Sequence, residues 1–171
     1  MLSNAFSFAQ IVGYLAFVLG VGSFLQKSDR YFKWWMTGEC LAYAVHFAML
    51  GNPTAVASTL VSASRSVLSL YTRSLKLAWT IVAINIGLGY LFIKQPADAL
   101  PLIASSIATL ALFRLQGIRM RLVLLLGTLL WLVNNLIAGS IGGSALEAVA
   151  ASVNLYTIVR MYRDNLRAAT A

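Results

Sequence analysis

The side chains able to do chemistry are few, and several sit close together. Between Trp131 and Asn154 the chain reads WLVNNLIAGSIGGSALEAVAASVN, two apolar stretches around a small-residue turn. They carry Trp131, Asn134, Asn135, Glu147 and Asn154. A carboxylate in an apolar helix is costly and usually has a task. Glu147 can serve a cation, an amine or a proton, or it can hydrogen-bond to Asn134 or His46 as a structural group. Trp131 and Tyr43 can wall a cavity or simply pack. Asn134, His46 and Asn154 can hydrogen-bond a small polar solute, with Ser66 opposite Asn154. Glu39 and Arg65 are expected near mid-depth of neighbouring helices, as a structural ion pair; the other use of Arg65 is to hold a substrate anion.

Enzymatic chemistry has little to stand on. One His, one Cys, no acid dyad on a common face and no glycine-rich nucleotide loop supply neither nucleophile nor acid–base pair. No catalytic residue, metal site or cofactor is therefore expected. Cys40 is the single cysteine, so no disulfide can form within the chain. GSIGG, at Gly139 to Gly143, is read as a tight turn and not a phosphate cradle.

Composition says what must position these groups. The chain of 171 residues is 60% hydrophobic and 11% charged, against about a quarter charged in a soluble domain. That composition belongs in a lipid bilayer. At about 20 residues per membrane helix, seven helices fill the chain and leave only short loops. The expected helices cover about 5–25, 31–50, 54–72, 77–93, 99–113, 122–138 and 144–162. The net charge of +8 is placed in turns and not spread over a nucleic-acid surface. Lys27, Arg30 and Lys33 follow the first helix, and Arg73 and Lys76 the third. Arg114, Arg119 and Arg121 follow the fifth, and Arg160, Arg163 and Arg167 the seventh. The other side holds Lys94 alone. The positive-inside rule then puts the N-terminus outside, the C-terminus in the cytoplasm, and seven spans between. The first segment lacks a basic n-region and is too long for a secretory signal.

A shift of 88 residues lays helices 1–3 on helices 5–7 without a gap, setting Tyr43 on Trp131, His46 on Asn134 and Ser66 on Asn154. One extra span between the halves gives both the same orientation, so the repeats are parallel. The expected fold is all-α: a polytopic membrane protein with a first three-helix repeat (1–73), a linker helix (74–96) and a second three-helix repeat with a short tail (97–171). Helices 3 and 7 are rich in small residues, and each is expected to lie between its two partners.

This plan resembles the SWEET and PQ-loop (MtN3-like) superfamily of small membrane transporters. More closely, FLQKSDR at Phe24 to Arg30, WLVNN from Trp131, GSIGG from Gly139, and Glu147 with Asn154 resemble the bacterial inner membrane protein YgjV family over nearly all the chain. That resemblance implies location and topology but no activity. The SWEET-like pattern implies an aromatic on the second helix and an Asn sixteen residues later lining a sugar site. Here Tyr43 and Trp131 match, but Thr59 and Glu147 replace the asparagines, and the first-helix proline survives only as Pro101. These departures point away from a neutral sugar. The expectation is a transporter or facilitator of a small polar solute, with two three-helix bundles alternating about a polar site. The other expectation is a membrane receptor or assembly subunit that moves nothing.

Overall fold

The computed structural model describes residues 8–51, 53–90, 96, 99–137 and 141–170. Among them are seven α-helices and no strand: α1 (Phe8–Leu25), α2 (Asp29–Met49), α3 (Pro53–Tyr71), α4 (Leu75–Tyr90), α5 (Ala99–Arg114), α6 (Gly117–Ile137) and α7 (Ile141–Thr170). Two of them, α1 and α6, are long and apolar enough to cross a membrane, by length and composition.

Local chemistry sets the boundaries. Gly51 follows α2 at φ +69° and donates its N–H to Ala48 O at 3.1 Å, the left-handed stop that glycine adopts without a Cβ penalty. Pro53 opens α3, where a missing N–H costs nothing. Ser74 caps α4, its Oγ accepting from Leu77 N at 3.3 Å. Gly117, at φ +56°, starts α6. The serines of α3 are satisfied at home: Ser64 donates to Leu60 O at 2.8 Å, Ser66 to Ser62 O at 3.0 Å and Ser69 to Ser66 O at 2.8 Å. A serine-rich helix can thus face apolar surroundings without outside partners.

Several boundaries differ from expectation, and α7 departs most, running to Thr170 instead of 162. α6 begins at Gly117, five residues ahead of Leu122, so Arg119 and Arg121 lie in its first turns and not in a loop. Arg30 and Lys33 likewise lie inside α2. Basic residues mark a membrane edge, but they are also good helix formers, so the helix begins before the charges end. Of the GSIGG turn, Gly139 and Ser140 fall outside the described residues, and Ile141 to Gly143 already belong to α7.

The chain divides into two compact units, 1–71 and 72–171. In the first, α2 packs on both α1 and α3. In the second, α6 packs on both α5 and α7, and α4 packs on α5. The middle helix of each unit is therefore α2 or α6. The expectation that helices 3 and 7 sit between their partners is overturned. Small side chains let backbones approach, but glycine does this better than serine, and the glycines that receive a neighbouring helix in these pairs are on α1 and α6.

The first unit is organised by glycine positions on α1. A Cβ at Gly13 would meet His46 Cε1 at 2.9 Å, and one at Gly20 would meet Glu39 Oε1 at 2.8 Å. Gly22 receives the Trp35 ring. Phe24 then meets Phe32, their ring centroids 5.5 Å apart. These contacts run in antiparallel register along the whole pair. In the second unit Gly127 approaches the α5 backbone, where a Cβ would lie 3.5 Å from Ala104 O. Gly89 of α4 receives Leu102 of α5, and Asn85 Nδ2 donates to Leu102 O at 3.4 Å.

Candidate functional site

Within the first unit, His46 is held on α1. Its Nδ1 lies 2.7 Å from Ala9 O, its ring fills the space over Gly13, and Tyr43 meets it edge-on at 6.3 Å. Tyr43 also stacks on Phe47 at 5.8 Å. Glu39 lies against Gly20, and Arg65 on α3 is in electrostatic reach of both Glu39 and Cys40. Arg65 is thus within electrostatic reach of Glu39, and Tyr43 and His46 meet as neighbours three residues apart on α2.

Lys33 is a polar residue of this unit that the sequence had put in a turn. It is 8% exposed and donates from Nζ to Ser69 O at 2.9 Å. Ser69 lies in the last turn of α3, whose carbonyls have no partners within the helix. An ammonium there satisfies one of them and offsets the negative end of the helix dipole.

The second unit holds Trp131, Asn134, Glu147 and Asn154. Asn154 on α7 is fully buried and donates from Nδ2 to Arg121 O on α6 at 3.0 Å. Arg121 and Thr157 are both 0% exposed. Counting along the antiparallel pair from that bond places Glu147 level with Thr128 and within a turn of Trp131. Glu147 and Asn134 are half-buried, and Trp131 is exposed at its edge. Asn154 and Glu147 are seven residues apart, about 10 Å along α7, so they form two levels and not one cluster.

Three pairs of buried polar residues correspond at the 88-residue shift, while Ser23, Thr37, Thr109 and Thr128 have no buried polar counterpart. Lys33 falls on Arg121, Ser66 on Asn154 and Ser69 on Thr157, and all six are buried. Ala16 with Ala104, and Phe32 with Met120, are buried likewise. Their hydrogen bonding differs. In the first unit Lys33 Nζ, Ser66 Oγ and Ser69 Oγ each donate to a backbone carbonyl. In the second unit Asn154 Oδ1 and Thr157 Oγ1 are buried with no hydrogen-bond partner. Buried polar atoms left so are rare and call for a reason. Sequence reasoning reached Asn154 and Ser66 but missed Lys33, Arg121, Ser69 and Thr157. The signal was present, since the same shift aligns Lys33 with Arg121 and Ser69 with Thr157.

No group of three His, Cys, Asp or Glu among the described residues could hold a metal ion. What the arrangement offers is polar recognition inside apolar helices. The molecule so defined is an all-helical protein with polar groups buried among apolar helices. A family model described as a bacterial inner membrane protein, Imp-YgjV, matches residues 7–165, and the chain belongs to that family. It is 35% identical over 164 residues to the inner membrane protein YgjV of Escherichia coli strain K12, covering 96% of this chain and 90% of that one. No solved structure matches the chain.

Proposed function

We propose that the protein is a secondary transporter or facilitator of a small polar solute, spanning the membrane seven times with its N-terminus outside and C-terminus in the cytoplasm. The observation that carries this is the contrast between Ser66 and Ser69, whose hydroxyls are satisfied, and Asn154 and Thr157, whose Oδ1 and Oγ1 are not. An unsatisfied buried polar atom costs about 1–3 kcal/mol. Two of them beside a buried arginine make the α6–α7 packing an occluded state that gains by opening to water or solute. The matching burial of residues 88 apart supports two parallel repeats, one serving as scaffold and the other as the working half. Asn154 and Thr157 hydrogen-bond the solute at the inner level. Trp131 and Asn134 line the outer level, where Glu147 sets charge selectivity or takes a proton.

The test is thermal stability of the detergent-purified protein against sugars, amines, amino acids and vitamins across pH. The control is Asn154→Ser with Thr157→Ser, which copies the self-satisfied pair of the first unit. A ligand at 100 times its Kd stabilises by about 2.7 kcal/mol. A shift present in wild type and lost in the double variant supports the reading. An equal shift in both removes it.

A second reading, a receptor or assembly subunit, is favoured by the use of His46 and Glu39 in α1–α2 packing. It expects a ligand shift or a protein partner, but labelling of Asn154→Cys and Thr157→Cys from one side only.

A further inference from the structure

α7 has 30 residues, about 45 Å of helix, where the hydrocarbon layer is about 30 Å thick. Its excess lies at one end. A Cβ at Gly117 would stand 3.9 Å from Met161 Cε, so α6 begins level with Met161. The helix Tyr162–Thr170 continues past that level, about 13 Å farther.

This end has two adjoining faces. Leu155, Val159, Tyr162 and Leu166 recur at helical spacing and are all exposed, forming one apolar stripe. Arg160, Arg163 and Arg167 fall on a second face beside it. Arg160 is laid along this surface, its guanidinium 5.4 Å from the Tyr156 ring centroid. Arg114 ends α5 and Arg119 lies in the first turn of α6, both exposed at the same end of the unit. The acid at this end of α7 is Asp164. Five arginines against one carboxylate make a positive collar at the level where helices leave the hydrocarbon.

We propose that this collar and the projecting end of α7 form a binding site for anionic phospholipid headgroups. The apolar stripe continues outward from the lipid-facing surface, so it holds the helix against acyl chains. The arginines beside it then stand in the headgroup layer, where their positive charges face lipid phosphate. A polybasic segment next to a membrane helix gains attraction from each charge at an anionic surface. A soluble polyanion would match the charge but leave Tyr162 and Leu166, beyond the start of α6, in water. The lipid accounts for both faces.

The test uses the full chain in nanodiscs of phosphatidylcholine, or of phosphatidylcholine mixed with phosphatidylglycerol. An environment-sensitive dye is attached at Leu166→Cys in a Cys40→Ala background. The expected result is a blue-shifted emission in the anionic discs, reversed by high salt. The shift is lost in R160Q/R163Q/R167Q and kept in R160K/R163K/R167K, since charge and not side-chain identity draws the helix down. Native mass spectrometry should show phosphatidylglycerol retained at least tenfold less by the Gln variant. Equal emission in both lipids, an unchanged response in the Gln variant, or a shift produced by RNA instead of lipid would each overturn the proposal.

Discussion

Replacing Gly13 with Ala should destabilise the first unit, although alanine is the better helix former. The new Cβ would lie 2.9 Å from His46 Cε1 and 3.0 Å from Nδ1. The ring must retreat by roughly 0.5 Å to reach ordinary contact. It has little freedom to do so, because Nδ1 is held 2.7 Å from Ala9 O. Overpacking of this kind costs about 1–3 kcal/mol, and the weakened hydrogen bond adds about 0.5–1.5 kcal/mol. Against this stands a gain of up to about 1 kcal/mol for Gly to Ala in a helix. The net expectation is a loss of about 1–3 kcal/mol. Unfolding in mixed micelles measures it, and His46→Ala completes a double-mutant cycle. In the His46→Ala background the penalty should vanish and Gly13→Ala should become neutral or stabilising. A Gly13→Ala protein as stable as wild type, with no coupling to His46, would refute the close packing of α1 on α2 and return His46 to the list of solute ligands.

Other outcomes follow from the same contacts. Lys33→Met should cost about 1–2 kcal/mol by uncovering the Ser69 carbonyl at the end of α3, while Lys33→Arg keeps most of the stability; thermal unfolding distinguishes them. Asn154→Ser removes the unsatisfied Oδ1 but also the Nδ2 bond to Arg121 O, and Thr157→Ser keeps its hydroxyl, so opposing effects of about 1 kcal/mol each should leave stability near wild type while ligand-induced shifts are lost. Glu147→Gln should insert and fold normally but abolish coupled transport once a solute is known, and normal transport would remove the role. Gly89→Leu should detach α4 from α5, since its side chain would occupy the space of Leu102, and should appear as increased protease sensitivity between residues 72 and 99.

Much of the architecture was legible because apolar runs of membrane length leave little choice. The α-helical class, the helix order and the approximate limits of α1, α2, α3 and α5 follow from periodicity and turn residues. Gly51 and Pro53 mark the boundary between α2 and α3. Helix-to-helix order was not legible. Serines on α3 suggested a central helix, but each serine can close a hydrogen bond on its own backbone, as Ser64, Ser66 and Ser69 do. The helix is polar by composition and self-contained in fact. Glycine placement decides the packing, and a sequence shows glycines without saying which side chain each receives. His46 looked like a site residue because polar groups in lipid usually are, and Glu39 like half of an ion pair; both are also groups a glycine notch can shelter. Lys33 and Arg121 were assigned to turns because the positive-inside rule treats cations as edge markers. Burial inside a helix pair is a tertiary property, and the repeat shift was the route to it.

The proposed function rests on the α6–α7 contact opening to water while its counterpart between α2 and α3 stays shut. Thiol accessibility tests that without knowledge of the solute. In a Cys40→Ala background, Thr157→Cys and Ser69→Cys are compared in native membranes with a membrane-impermeant reagent. Thr157 is 0% and Ser69 5% exposed, so a static molecule protects both. The account predicts time-dependent labelling at position 157 and protection at position 69. Equal protection at both, over times when exposed Arg163→Cys reacts fully, would contradict it.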